Sequence, residues 1–185
     1  MSEAGIQREV APEAPGGRSF LQRLFGAVRL DGAAYDEIAQ SPSALGQAAV
    51  VALAAAAAKV LVQIAHGTAS STLVSGASIF SFWPIGAALL WIGCGQRVPY
   101  TRLLRIVGFA MAPLLLAALD LIPITPVRVG AGLLATALFL AALVIGTRQA
   151  LRTTTGSAAL LCAPLAVMTI FLPMLIGYVA SLIGK

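Results

Sequence analysis

The chain has 185 residues, of which 59% belong to the apolar set AVILMFWYC and only 10% are charged. Soluble domains carry roughly 45–50% apolar residues even with glycine counted, and about 25% charged. Water cannot solvate a chain with a mean hydropathy of +0.92, so most of it belongs in lipid, and a soluble enzyme, a DNA-binding domain and a disordered tail are excluded as whole-chain readings. The net charge of +5 and pI near 9.9 then act as an orientation signal rather than an attraction to nucleic acid.

In chain order, residues 1–19 are polar, with Glu3, Arg8, Glu9, Pro12 and Pro15. They are read as a disordered lead without a cleavable signal peptide. Residues 20–43 form an amphipathic segment. Phe20, Leu21, Leu24, Phe25 and Val28 recur at helical spacing, while Gln22, Arg23 and Arg29 fall elsewhere. Two readings fit: a helix lying on an anionic membrane leaflet through these residues, or a helix docked onto the bundle's own face or onto a partner protein. Residues 33–40 read as a second short helix leading into Ser41.

Residues 44–185 are read as an all-α transmembrane domain of five spans, at about 44–65, 73–93, 104–124, 127–147 and 158–183. Each is close to the roughly 20 apolar residues that a ~30 Å hydrocarbon layer requires. Ser41-Pro42 supplies an N-cap and first-turn proline for the first span. His66-Gly67-Thr68 through Thr72 divides the first from the second, Cys94-Gly95-Gln96 ends the second, and Pro123 and Pro126 leave only a tight hairpin between the third and fourth. Arg8, Arg18, Arg23, Arg29, Arg97, Arg102, Arg105, Arg148 and Arg152 then fall on one side, against Arg128 and Lys185 on the other. Basic loops stay cytoplasmic, so the N-terminus is expected inside and the C-terminus outside.

Ionisable groups within a span are costly unless paired or hydrated, which singles out Lys59 and Asp120. At about 1.5 Å per residue both sit roughly 22–24 Å from the cytoplasmic boundary, so an ion pair between spans one and three is expected. It reads either as part of an ion or proton relay with His66 and Arg128 at its outer mouth, or as a pair that fixes helix register. A Lys59 that snorkels to the surface is a further reading. The transport reading is weakened by the near absence of polar groups in the cytoplasmic halves of those spans (VVALAAAAA and VGFAMAPLLL).

The remaining polar and small residues have ordinary membrane-helix readings. Ser75, Ser78, Ser81, Thr136, Thr155 and Thr169 can bond back to their own helices. Trp91 and Tyr100 suit one aromatic belt and Tyr178 the other, while Trp83 lies mid-span. Gly108 with Ala112, and Gly177 with Ser181, are small-xxx-small pairs that let helices approach closely. Pro84, Pro113, Pro164 and Pro173 are expected to kink their helices, and a groove opened by such kinks would suit a lipid.

No catalytic, cofactor or metal site is expected. Cys94 and Cys162, 68 positions apart, suggest neither a disulfide nor a ligand pair, His66 is the lone histidine, and no nucleotide, zinc-protease or hydrolase motif occurs.

Three segments carry a family resemblance: VRLDGAAYDEIAQSPSALGQA at 28–48, YTRLLRIVGFAMAP at 100–113 followed by Ile122-Pro123, and TRQALRTTTGSAAL at 147–160. In this order and spacing, over roughly residues 28–175, the chain resembles bacterial members of the Yip1 family of five-span membrane proteins. The resemblance implies a multi-pass protein of the bacterial inner membrane with no catalysis. Eukaryotic relatives are associated with vesicle traffic and Rab binding, but their Asp-Leu-Tyr-Gly-Pro motif is missing here, so that activity does not carry over. The expected function is that of a non-enzymatic membrane-organising scaffold or a subunit of a larger membrane complex. Its expected partners are membrane lipids, a membrane protein or a second copy. A small ion or proton transporter using Lys59 and Asp120 is the alternative.

Overall fold

A computed structural model describes residues 17–66 and 69–183, with the side chains of all of these except 69–75 and 170–183. Two short helices, α1 (Phe20–Val28) and α2 (Gly32–Gln40), precede α3 (Ala44–Ala65), α4 (Ala69–Gly93) and α5 (Tyr100–Ala110). A 3-10 segment (Ala112–Leu121), α6 (Thr125–Leu151) and α7 (Thr155–Ile183) complete the order. Among the described residues there is no strand. The polar lead up to residue 16, Gly67, Thr68, the surroundings of Gly177, and the side chains of Ser75, Pro173, Tyr178 and Ser181 lie outside the described set.

Among the described residues, four stretches are long and apolar enough to cross a membrane: Ala44–Ala65, Gly76–Gly93, Tyr100–Leu121 and Thr125–Leu151. Their packing explains why they need lipid. On α3, Ala44, Ala48, Ala52 and Ala55 face inward at helical spacing, while Val50, Leu53, Leu61 and Ile64 are exposed. Leu133 and Leu134 of α6 and Ile85, Leu89 and Ile92 of α4 also point out. Contiguous apolar surface on several helices is unfavourable in water and is matched by hydrocarbon. The buried alanines let α3 lie close to its neighbours, and the larger core residues Leu90, Ile106, Phe109, Met111, Phe139 and Leu143 fill the space between α4, α5, the 3-10 segment and α6.

The third crossing departs from the expectation of one α-helix over 104–124. It begins at Tyr100, and α5 ends at Ala110. Pro113 has no N–H to give the Phe109 carbonyl, and its ring would crowd that carbonyl. The chain tightens instead, with the Leu114 N–H donating to Met111 O at 2.9 Å, and continues as 3-10 helix to Leu121, packed between α3 and α6. A 3-10 helix rises about 2.0 Å per residue against 1.5 Å for an α-helix, so ten residues span about 20 Å rather than 15 Å. The level of the preceding α5 is fixed by α3: a Cβ on Gly108 would lie 2.7 Å from the Ala48 Cβ, so Gly108 is level with the start of the second turn of α3.

The start of α3 also differs. Ser43 is the residue before it, and no side chain caps it. The expected cap, Ser41, instead ends α2, and its hydroxyl accepts from Arg23. Asp31 caps α2 through the Ala33 N–H at 2.9 Å. Tyr35 and Ile38 on the inner face of α2 are fully buried. Tyr35 fits because Gly146 of α6 has no side chain: a Cβ there would lie 2.5 Å from Ile106 Cγ2 and 3.0 Å from the Tyr35 ring.

Candidate functional site

Three places gather groups able to interact with something other than hydrocarbon. The first is the α1–α2 cap on the arginine-rich end of the bundle. Ser19 and Gln22 close a reciprocal capping box at the start of α1, which ties down two otherwise unpaired backbone donors. Phe20, Leu24 and Val28 pack against the core, with the Phe20 ring edge-on to Phe109 at 6.4 Å between centroids.

Arg23, expected among the membrane-facing residues of this helix, is only 4% exposed. Its Nε donates to Glu37 Oε1 at 3.1 Å, its Nη1 to Gln47 Oε1 at 3.0 Å and Ser43 Oγ at 3.3 Å, and its Nη2 to Ser41 Oγ at 3.2 Å. The expected lipid-facing set therefore divides. Phe20, Leu24 and Val28, four residues apart, dock inward with Arg23. Leu21 and Phe25, each 60% exposed, point outward with Arg29.

Arg18 reinforces the cap. Its Nη1 donates to Asp31 Oδ2 at 2.8 Å and its backbone N–H to Glu37 Oε1 at 2.9 Å. The Arg18 hydrogen bond, together with the Ala33 N–H, holds the Asp31 carboxyl below its ordinary value of 3.8. A depressed acid contributes its stability in full above its unfolded value and loses it as pH falls through the folded one. Hydrogen exchange at Ala33 is therefore expected to be pH-independent, after correction for intrinsic rates, down to about 4, and to accelerate only below. Acceleration beginning near neutrality would show that another group controls the cap. Tyr35, fully buried beneath it, has its phenol pushed above the ordinary range by desolvation and donates to Ala27 O at 3.4 Å.

The second place is the opposite end, where the expected Lys59–Asp120 pair does not form. Arg128 Nε donates to Asp120 Oδ1 at 2.8 Å, and none of the described ion pairs involves Lys59. Lys59 and His66 nonetheless lie within electrostatic reach of the carboxylate, with His66 exposed at the C-terminus of α3. The reason is geometric. The long 3-10 rise carries Asp120 to the end of the third crossing, past the level of Lys59, and residues 122–124 turn the chain directly into α6, whose first turn holds Arg128.

Both side chains of this pair keep about a third of their exposure, and such pairs contribute roughly 0–1 kcal/mol. The double change Asp120→Asn with Arg128→Gln is expected to lower stability by no more than about 1 kcal/mol, with Lys59→Met close to neutral, read as thermal midpoints in detergent. A Lys59→Met loss larger than that of Arg128→Gln would return the pairing to Lys59.

The third is an apolar cavity of about 200 Å³ between α4, the 3-10 segment, α6 and α7, lined by Ile79, Phe82, Met111, Leu114, Phe139 and Met168, with Ser78 and Thr169 at its edge. The Phe82 and Phe139 rings meet edge-on at 5.6 Å, and the Thr169 hydroxyl bonds back to Leu165 O. Helix α4 runs through Pro84 unbroken.

Composition and periodicity did not point to Glu37, Ser43 or Gln47, because nothing local in the sequence shows that an arginine twenty residues away will be folded over them. The pairing of Asp120 with Arg128 did have a signal. They flank the Pro123–Pro126 hairpin, and a hairpin that tight brings its flanks together.

No curated protein and no solved structure matches the chain. The family model described as the Yip1 domain matches residues 26–177, from the end of α1 through all four membrane-crossing stretches and into α7. That match covers the α1–α2 connection, both ends of the bundle and most of α7: the chain is a multi-pass membrane protein belonging to the Yip1 family.

Proposed function

We propose that this protein is a non-enzymatic organiser of a bacterial inner membrane, a scaffold or a subunit of a larger membrane complex. In this reading α7 is the fifth span, the α1–α2 cap is cytoplasmic and the C-terminus lies outside. The asymmetry of nine arginines against Arg128 and Lys185 supports that orientation.

One observation carries the functional reading. Arg23 holds α1 against the bundle by four side-chain partners, and this rigid mount presents Leu21 and Phe25 outward. Apolar side chains held rigid and exposed on a fixed helix suit recognition, because little ordering entropy remains to be lost on binding. The expected occupants are a membrane protein or a second copy of this chain.

Native extraction in mild detergent tests it. The wild type should migrate as a complex larger than the monomer, and Leu21→Ser with Phe25→Ser should release the monomer without lowering its unfolding midpoint. A wild type that is a solitary monomer, and whose deletion leaves membrane shape and composition unchanged, sinks the reading. Green fluorescent protein and alkaline phosphatase fusions at Lys185 test the topology, and a fluorescent, phosphatase-inactive pair would overturn the five-span arrangement.

A small ion or proton transporter is the second reading. It is favoured by the placement of the Asp120–Arg128 pair at the end of the bundle where α3, carrying Lys59 in its last turns, ends at His66. Reconstituted vesicles decide it: flux abolished by Asp120→Asn supports transport, and flux no greater than in empty vesicles removes it.

A further inference from the structure

The turn between α4 and α5 and the turn between α6 and α7 meet at the arginine-rich end of the bundle and enclose a cavity of about 750 Å³. Arg97 stands on one side, Arg152 with Thr153 on the other, and Ser157 of the first turn of α7 below. The other arginines of the α5–α7 region are engaged: Arg102 donates to Ala150 O, Arg105 to Ala39 O, and Arg148 to Thr155 Oγ1. Among the described residues the carboxylates of this end are engaged too, Asp31 and Glu37 by Arg18 and Arg23, and Asp36 by Gln40. That leaves the Arg97 and Arg152 guanidiniums, which like Arg29, Arg102, Arg105 and Arg148 take part in no ion pair among the described residues, as the two arginines that line this cavity.

Two unneutralised guanidiniums beside one opening attract a phosphate, which they bind through paired N–H donors. The start of the 29-residue α7 adds its positive end to the same field. The wall decides between a free phosphate and a lipid. Val98, Leu151, Leu160 and Leu161 supply the apolar part of the lining, and Leu160 of α7 is 77% exposed, as Ile92 near the end of α4 is exposed, so the cavity borders two helices whose outer faces suit hydrocarbon. Basic pockets between membrane helices at the bilayer boundary suit anionic head groups.

We propose that this cavity binds an anionic phospholipid. The phosphate sits between Arg97 and Arg152, the glycerol or head-group hydroxyls reach Thr153 and Ser157, and the acyl chains descend past Leu160 between α4 and α7. The site is independent of the apolar edge of α1 and of any partner docked there.

Native mass spectrometry of the full chain, titrated with phosphatidylglycerol and with phosphatidylcholine of the same acyl chains, tests it. The wild type should retain phosphatidylglycerol preferentially. Arg97→Gln with Arg152→Gln should weaken that binding by at least about tenfold, the loss expected for removal of charge-assisted contacts, and Arg97→Lys with Arg152→Lys should recover part of it because the charge remains. Both cations are exposed, so the unfolding midpoint should not move, and measuring it separates lost binding from lost folding. Equal retention of the two lipids, or a glutamine double variant that binds as the wild type does, overturns the proposal. Displacement of the lipid by millimolar inorganic phosphate as effective as displacement by excess phosphatidylglycerol identifies a soluble-phosphate site and overturns it as well.

Discussion

Arg23→Ala is expected to release α1 from the bundle. The side chain is almost wholly buried and donates to Glu37, Ser41, Ser43 and Gln47 at once, so alanine removes its donors from the Glu37 carboxylate and the Gln47 amide oxygen, while the two serine hydroxyls still meet each other. Removing one member of a fully buried ion pair costs about 3–5 kcal/mol. Glu37 is 29% exposed and keeps Arg18, which lowers the expected cost to about 2–3 kcal/mol.

A cap held by few other polar contacts opens locally before the bundle unfolds. Amide exchange over 20–30 should therefore accelerate by roughly 30- to 140-fold, with 1.4 kcal/mol per tenfold change, while α3 and α6 stay protected. Arg23→Lys should fall between, since one ammonium cannot serve so many acceptors in the geometry of a planar guanidinium. Unchanged exchange in α1 after Arg23→Ala would show that Phe20, Leu24 and Val28 hold the helix without it.

Gly108→Val is expected to damage the bundle itself. A Cβ at that position would lie 2.7 Å from the Ala48 Cβ, 2.9 Å from the Ala48 carbonyl oxygen and 3.0 Å from Trp83 Nε1. A flexible side chain could rotate away, but the carbonyl belongs to the backbone of α3, so α3 and α5 must separate. Trp83 is pinned as well, because its indole N–H donates to Leu104 O at 2.7 Å.

Overpacking of a close crossing costs about 1–3 kcal/mol, and valine belongs at the upper end of that range. Gly46→Ala is the matched control: nothing lies within 4 Å of its Cβ position, and alanine in a helix is favoured over glycine by roughly 0.5–1 kcal/mol. Thermal midpoints in detergent should move in opposite directions for the two changes. Gly108→Ala as stable as Gly46→Ala would mean that the two helices are not in contact as described.

Much of the fold follows from local chemistry. Long charge-free apolar runs leave no environment but lipid, and the punctuation between them (Cys94-Gly95-Gln96, the prolines 123 and 126, Gly156-Ser157) places helix ends to within a few residues of α4, α6 and α7. The periodicity of residues 20–28 and 33–40 marks two short helices, because burial of one face repeats every three to four residues whatever the helix packs against. What periodicity cannot give is direction. Two adjacent apolar stripes on α1 look alike in sequence, and only the presence of Phe109 and the Glu37–Gln47 acceptors makes one of them, with Arg23, the inner face.

Depth was lost for a similar reason. The position of Asp120 came from an assumed α-helical rise, and Pro113 marked a kink without revealing that packing between α3 and α6 would extend ten residues as 3-10 helix. That extension moves Asp120 to the end of the crossing and gives it Arg128. Likewise the loop arginines are visible in sequence as a charge asymmetry, since orientation depends on a one-dimensional count. That Arg97 and Arg152, more than fifty residues apart, face one cavity while Arg102, Arg105 and Arg148 are engaged elsewhere depends on how two turns meet in space. Sequence alone thus determined the solvent this protein lives in and the elements it builds. Only the tertiary structure decided which charges are partnered and which are left open, because pairing depends on distances that a linear pattern does not contain.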